Sequence, residues 1–561
     1  MTADIISRIQ AELQTVFGMP VTVGRPPQPD LGDFAVPCFE LAKIRCQSPA
    51  QVATEIAAAI NQQSTEASVI NQAQAAGPYV NLFVKPTMLA AAVLDLTVEP
   101  NLSNGKTVLV EFFNPNPLKV MHIGHVRNAV TGEAVRRLLQ FCGWQTVGCS
   151  YSGDVGVHVA KWLWYFQNFT DRHIPTDNFL QWAGELYVAA CAKVAEAPEH
   201  EAAANEYNRL IDARDPKVLA DWRTVTDLSY AALAATAKEL DCQIQRAFRE
   251  SETEVAGKEY VHELIASGKI KQDQGAWVVD LSAQNLGVFI VLKSDGTALY
   301  ATKDLGLLNC KAQAFGAVEK NIVVVGSEQE HYFKQLLAAA KIFNTPLAQA
   351  TVAVHHGIVD LPTGKMSSRT GNVQSYAELR DAAVEKVAAK MAAENPALAN
   401  ADQVAKDVAL GALKFFLLHV DRTKRTTFNW ETALSFTGSS GPYLQYSYAR
   451  IKAIERKAAA ELSGGAIAPE LLTDPAERKL LLQLAGFSVA VARAAEEYQP
   501  YLVANYLLDL AGDLNHFYHI CHVVDSADPN RSRTRLALIG KVAEVLKHGL
   551  WLLGITAVEE M

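Results

Sequence analysis

"FFNPNPLKVMHIGHVRNA", residues 112–129, carries the chain from an apolar run into a helical pattern through a turn-prone stretch. The run before it, "KTVLVEFF" (106–113), is rich in apolar and β-branched residues and reads as a strand. "GHVRNAVTGEAVRRLLQFCG" (124–143) has helical spacing and is closed by Gly143, and "QTVGCSY" (145–151) reads as a second strand. Strand, helix, strand predicts a βαβ unit with the quoted loop at the carboxyl end of the first strand, where α/β proteins bind ligands. A polyphosphate there meets oriented backbone N–H groups and the positive end of the helix dipole. His122 and His125 flank Gly124 at that junction. Without a side chain, Gly124 lets a flat base lie against the backbone, and the imidazoles can donate to phosphate oxygens as charge builds on them. Alone, such a histidine pair in a loop is more often plain polar surface, and Asn114 and Asn116 fit turn positions between prolines.

Working outward, the 561 residues exceed what one hydrophobic core fills. The longest apolar stretches, "GVFIVL" (287–292) and "GLWLLGI" (549–555), fall well short of the ~18 residues of a membrane span. The N-terminal "MTADIISRIQAELQTVF" mixes acids with apolar residues at helical spacing and lacks the layout of an export signal. Eight cysteines without C-x-x-C pairs argue against a disulfide framework or a zinc knuckle. A soluble, cytoplasmic protein is expected. The 51 Lys and Arg against 60 Asp and Glu give a formal charge of −9, so any polyanion site must be a local patch.

Residues 1–102 read as a small α/β module that includes "SPAQVATEIAAAI", with Ser48 as N-cap and Pro49 at the first helical position, and the strand-like "PYVNLFV" (78–84). Residues 103–375 hold the βαβ unit, an Ala-rich helical and β insertion around 155–290, and a second α/β stretch with "NIVVVGS" and "TVAVHHGIVD". Within it, "GAWVVDLS" and "VFIVLKSDGTALY" read as hairpin strands. Residues 376–561 are helical in pattern, with a loop expected at Ser463–Gly465.

"GIVDLPTGKMSSRTGN" (357–372) is a Gly- and Ser-rich loop carrying Lys365, Met366, Ser367, Ser368 and Arg369. Amides and hydroxyls bind phosphate oxygens while the cations neutralise charge, which suits a mobile lid over a triphosphate. In this order, each after a strand-like run, the two segments resemble the His-Ile-Gly-His and Lys-Met-Ser-Lys-Ser signatures of class I aminoacyl-tRNA synthetases. "SGDVGVHVAK", "SDGTALYATKDLG", "VVGSEQEHYFKQL", "SSGPYLQYSYARI" and the ending "VLKHGLWLLGITAVEEM" resemble segments of the arginyl-tRNA synthetases in particular.

That resemblance implies an α/β fold: a class I Rossmann-type catalytic core, a small N-terminal α/β domain on the outer corner of tRNA, and an all-α C-terminal anticodon-binding domain. It implies an arginine–tRNA ligase that uses ATP with Mg2+ and binds L-arginine and tRNA(Arg); a monomer with no membrane partner is expected. His122, His125, Lys119 and Lys365 take catalytic roles by this likeness, and Gly124, Met366, Ser367 and Ser368 join them at ATP. Asn114, Asn116, Tyr300, Asp304, Gln329 and Glu250 are assigned to arginine. Arginine's guanidinium is a planar fork of five donors, so its site needs rigid carboxylate or phenol acceptors. Tyr300 and Asp304, four apart in "LYATKDLG", share a face if that segment is a helix. Read structurally instead, they would be an ordinary helix start. Ser150 and His158 depart from many members of the family, which carry Asn and Gln there. The usual second lid lysine is also missing, and Lys119 is the residue that could supply its charge. Two competing readings are a non-catalytic RNA-binding relative and a small-substrate nucleotidyltransferase, the latter leaving residues 376–561 unexplained.

Overall fold

The computed structural model describes residues 5–28, 31–98, 105–361, 374–462 and 465–561. At its centre is a five-stranded parallel sheet of β1 (Thr107–Glu111), β2 (Gln145–Ser152), β3 (Arg246–Arg249), β4 (Lys320–Gly326) and β5 (Thr351–His356). The spatial order is β5-β4-β1-β2-β3. The chain thus leaves β1 first in one direction and later in the other, which opens a crevice between the carboxyl ends of β1 and β4. Covered on both faces, the middle strands are continuous apolar runs: Val108 to Val110 and Ile322 to Val325 are all buried.

From β1 to β2 runs α1 (Ile123–Phe141), followed by Gly143 at φ +92° as its expected stop. It lies so close to the sheet that a Cβ on Gly132 would sit 2.2 Å from the Cβ of Phe112. Its outer face is covered too, so several charges are buried. Glu133 accepts from Arg136 at 2.6 Å and from Arg137 at 2.7 Å, and Arg137 also donates to the Trp551 carbonyl at 2.8 Å. Pairing makes this burial tolerable, and it fastens α1 to the C-terminal helix Pro529–Leu552. On the sheet's other face lie α2 (Glu250–Ala266), α3 (Tyr300–Phe315) and α4 (Glu330–Phe343).

Between β2 and β3 the chain makes helices Val157–Phe169, Phe179–Ala195, Pro198–Asp212 and Pro216–Glu239. The expected hairpin is Ala276–Asp280 antiparallel to Val288–Leu292. In the N-terminal part, Ser48 caps helix Pro49–Gln63 by accepting from the Gln51 N–H at 3.2 Å, and Tyr79–Val84 is the central strand of an antiparallel sheet. This part leans on the C-terminal helices: Arg25 donates to the Gln483 side chain at 2.7 Å, and Arg478 pairs with Asp33. Beyond Tyr376 the described residues are mostly helical, though Thr426–Thr427 pairs as a short strand with Val359–Asp360. Of the loop expected at Ser463–Gly465, only Gly465 falls among the described residues.

Candidate functional site

The chain leaves β1 at Glu111 and turns sharply. Phe113 (φ +59°) and Leu118 (φ +62°) both adopt the left-handed conformation. For a residue with a side chain this costs about 1–2 kcal/mol and persists where the surroundings enforce it, as they do at functional sites. Here burial of both side chains and two hydrogen bonds enforce it: the Phe113 N–H donates to Asn128 Oδ1 at 2.8 Å, and the Leu118 N–H to Ser229 Oγ at 3.2 Å. Asn114 does more than turn the chain. It donates to Glu111 at 3.1 Å and accepts the Tyr151 N–H at 2.9 Å. Asn116 accepts the Gly153 N–H at 3.2 Å, so the two asparagines brace the loop on the end of β2.

His122 is the N-cap of α1. Its Nδ1 accepts the Gly124 N–H at 3.1 Å, while its own backbone N–H donates to His125 Nδ1 at 3.2 Å. The rings stack with centroids 3.9 Å apart. The fold of the His122 ring over Gly124 explains the glycine, since a Cβ there would meet the ring at 3.0 Å. Burial, then the Lys119 charge, pushes His122 down to about 4. Burial, then His122, Lys119 and His356, holds His125 well below its ordinary value. Both imidazoles are therefore neutral at pH 7 with Nδ1 as acceptor, and the proton of each sits on Nε2 as a donor. His158 is also neutral, pushed to about 3 chiefly by burial and then by Lys119, and its Nε2 donates to the Gly153 carbonyl at 3.0 Å.

Lys119 lies over the Tyr187 ring, 5.0 Å from its centroid. Tyr187 belongs to the insertion helix Phe179–Ala195, which closes on this loop so tightly that a Cβ on Gly184 would sit 2.0 Å from Val120. Lys365, Met366, Ser367, Ser368 and Arg369 lie outside the described residues. Residues on both sides of that segment do meet α1, however. Ser375 forms a β-bridge with His122, and the Tyr376 N–H donates to the Met121 carbonyl at 2.7 Å. Upstream, Arg127 of α1 donates to the Ile358 carbonyl at 3.4 Å.

On the sheet's other face, Asp304 of α3 is half-buried and accepts from the Tyr332 hydroxyl of α4. Desolvation raises its carboxyl to about 7, with Glu111 and Glu250 adding to the rise and Tyr332 and Lys311 opposing it. Tyr151, bonded to Thr253 at 3.0 Å, faces the same acids. Glu250 joins this group: a Cβ on Gly153 would lie 3.0 Å from its carboxyl carbon and 3.1 Å from Asn116 Oδ1. Lys303 neutralises Glu250 at 2.9 Å, and Lys311 neutralises Glu111 at 2.6 Å.

Asn114 holds Glu111, Asn116 and Glu250 meet around Gly153, Asp304 feels the charges of Glu111 and Glu250, and the histidine pair opens the helix that follows the same loop at the switch-point crevice. Tyr300 does not pair with Asp304. It is the first residue of α3 and 72% exposed, so helical spacing sets the two a turn apart while only Asp304 packs beneath α4. Gln329 follows β4 at the same crevice, exposed and hydrogen-bonded to none of the other candidates among the described residues. Tyr332, Tyr151, Glu111, Lys303 and Lys311 escaped the sequence reading. The signal available was a lone acid, Glu111, in an otherwise apolar strand. A crevice of about 1000 Å³ also opens between helix Pro216–Glu239 and strands β2 and β3, lined by Ser150, Ser152, Tyr230 and Arg249. Arg249 is paired there with Asp227 at 2.8 Å, Asp241 is held by Arg137 of α1 at 2.6 Å, and the histidine pair is not part of it.

Comparison with known proteins agrees with this geometry. The family model described as tRNA synthetases class I (R), catalytic domain, matches residues 88–430. The DALR anticodon binding domain matches 444–561, and the arginyl tRNA synthetase N terminal domain matches 3–84. An arginine–tRNA ligase of Treponema pallidum is 33% identical, covering 100% of this chain and 98% of that protein. One of Bdellovibrio bacteriovorus is 34% identical over 96% of this chain and 93% of its own length. The solved structure of Thermus thermophilus arginyl-tRNA synthetase superposes with a TM-score of 0.87 at 26% identity, covering 99% of this chain and all of the other. A parallel sheet with its switch-point crevice, a histidine-capped helix and three family matches along the chain place this protein in the class I arginyl-tRNA synthetase family.

Proposed function

We propose that the protein activates L-arginine with ATP to arginyl adenylate and pyrophosphate, then transfers the arginyl group to the 3′-terminal ribose of tRNA(Arg). The observation that carries this reading is the half-buried Asp304 carboxyl, raised to about 7 beside Glu111 and Glu250 at the crevice of the histidine pair. A carboxyl held there at a cost to its ionised form suits a cationic guanidinium. Asn116, Glu250, Tyr300 and Gln329 complete the arginine site, with Asn114 bracing it, and Tyr332 fixes the Asp304 carboxyl.

Adenylation is an in-line displacement at the α-phosphate, so positioning and charge stabilisation dominate. His122 and His125 supply neutral Nε2–H donors, Gly124 leaves room for the base, and Lys119 supplies a cation. Lys365, Met366, Ser367 and Ser368 take part in binding ATP. Glu111 and Glu250 are engaged by lysines, so magnesium arrives with ATP and is held by phosphate and water. Pyrophosphate exchange with arginine, ATP and tRNA, and charging of each purified tRNA acceptor with each amino acid, test the assignment. Charging with another amino acid, or none at all, would overturn it.

Residues 1–102 act as the tRNA outer-corner domain, 103–375 as the catalytic domain with its insertion at 155–290, and 376–561 as the stem-contact and anticodon-binding domain. A cytoplasmic monomer is the working form. Among the described residues, no helix is long and apolar enough to cross a membrane. In the N-terminal part, Phe39 (48% exposed) and Tyr79 (42%) meet edge-on at 5.7 Å, with Lys43 and Arg45 on the same short helix as Phe39. Exposed aromatics beside cations suit unstacked bases of a folded RNA. Phe39→Ala is expected to raise the tRNA KM in charging by about fivefold, the lower end for one lost base stack, with arginine KM unchanged. An unaltered tRNA KM would remove this surface from the RNA contact.

A further inference from the structure

We infer that Asn128, on the second turn of α1, is a positioning residue that splints the crevice open at a fixed width and locks the histidine helix to the arginine loop. The β1–β4 ladder runs from Lys320 opposite Val108 to Val323 opposite Glu111, and there it ends because the chain turns away at Phe113. Beyond that point each strand presents an inward backbone group with no strand across from it. The Asn128 amide fills the gap as a peptide group would: Oδ1 accepts the Phe113 N–H at 2.8 Å, and Nδ2 donates to the Val324 carbonyl at 2.6 Å. The amide orientation is fixed by these partners, one a donor and the other an acceptor.

The third contact is with β5. His356 Nδ1 lies 3.1 Å from the Gly357 carbonyl, so it carries the proton, and Nε2 is left as an acceptor 3.4 Å from Asn128 Nδ2. One side chain thereby joins the carboxyl ends of β1, β4 and β5. Asn128 lies six residues after His122 on the same helix, and the Phe113 N–H it holds belongs to the residue before Asn114. Its loss would let the nucleotide-binding end and the amino-acid end of the site drift relative to one another without removing a group that touches either substrate.

This rests on the arginine-activation reading. Exchange by the unaltered enzyme tests that reading, and the ratio of variant to unaltered enzyme tests Asn128, so the two failures are distinguishable. Asn128→Ala is expected to lower the turnover of pyrophosphate exchange about tenfold, with arginine and ATP KM each within threefold. Asn128→Asp keeps the acceptor for Phe113 but sets an anion against the Val324 carbonyl oxygen, and protonation restores the missing donor. At saturating substrates its rate relative to the unaltered enzyme is expected to rise several-fold from pH 8 to pH 6. This second arm reads the change of that ratio between two pH values, so a fixed difference in folded yield between the two proteins cancels. An Asn128→Ala turnover within threefold of the unaltered enzyme, or a flat ratio for Asn128→Asp, would overturn the inference.

Discussion

Lys119→Ala is expected to cut arginine-dependent pyrophosphate exchange by about a hundred- to a thousandfold, the order lost when one preorganised transition-state donor is removed. Arginine KM should barely move, because Lys119 is not among the residues proposed for the guanidinium. The reasoning starts from charge. His122, His125 and His158 are all held neutral, so the histidines offer dipoles rather than cations. Lys303 and Lys311 are each neutralised by a buried carboxylate. The sequence Lys365-Met366-Ser367-Ser368 has serine where the family's usual signature has its second lysine. Lys119 is held over Tyr187 on the loop three residues before His122, and its field reaches all three imidazoles. Lys119→Met retains apolar packing on Tyr187 and should be as slow as Lys119→Ala, which separates charge from packing. In either variant the His122 and His125 titrations should move upward, since a repelling cation has gone. Ser368→Lys added to Lys119→Ala should restore part of the rate by returning a charge from the lid side. A fast Lys119→Ala enzyme, or a double variant no faster than the single, would leave this lysine outside the reaction.

What could be read from the sequence followed from local pattern. The βαβ unit around residues 107–152 was legible because its strands are apolar runs, its helix stops at a glycine, and its loop falls at a strand's carboxyl end. The capping role of Ser48 was legible for the same reason: a cap needs only its immediate neighbours. The partners of the candidate acids were not. Tyr332 meets Asp304 from 28 residues away, Lys303 meets Glu250 from 53, and Lys311 meets Glu111 from 200. Periodicity carries no information about which distant side chain will neutralise a buried acid. The Tyr300–Asp304 pair shows the limit from the other side. Helical spacing gives a shared face and even a helix start, yet it cannot tell what covers each residue: Tyr300 opens α3 in solvent, and the aspartate lies under α4. The left-handed turns at Phe113 and Leu118 were hidden as well, because neither residue type favours that conformation and only the surrounding contacts enforce it.

Asp304→Asn is expected to raise arginine KM about ten- to a hundredfold while ATP KM changes little, since a lost charge-assisted bond costs on the order of 1.5 to 3 kcal/mol. A pH measurement separates this role from a structural one. Without arginine, desolvation holds the Asp304 carboxyl at about 7, so near neutral pH much of it is protonated. A guanidinium bound against it favours the ionised form, so arginine binding must expel a proton when the pH lies below about 7. The sign follows: affinity is full above that value and weakens as pH falls through it. Arginine KM should therefore rise about tenfold between pH 8 and pH 6, and Asp304→Asn, which has no proton to expel, should remove this dependence while keeping its high KM. Tyr332→Phe removes the hydroxyl that favours the ionised carboxyl, so the rise should begin at higher pH than in the unaltered enzyme. Arginine KM that is flat with pH in the unaltered enzyme, or unchanged in Asp304→Asn, would return Asp304 to a packing role beneath α4. In that event the guanidinium must be sought at Glu250 or Glu111, whose lysine partners would then have to give way to it.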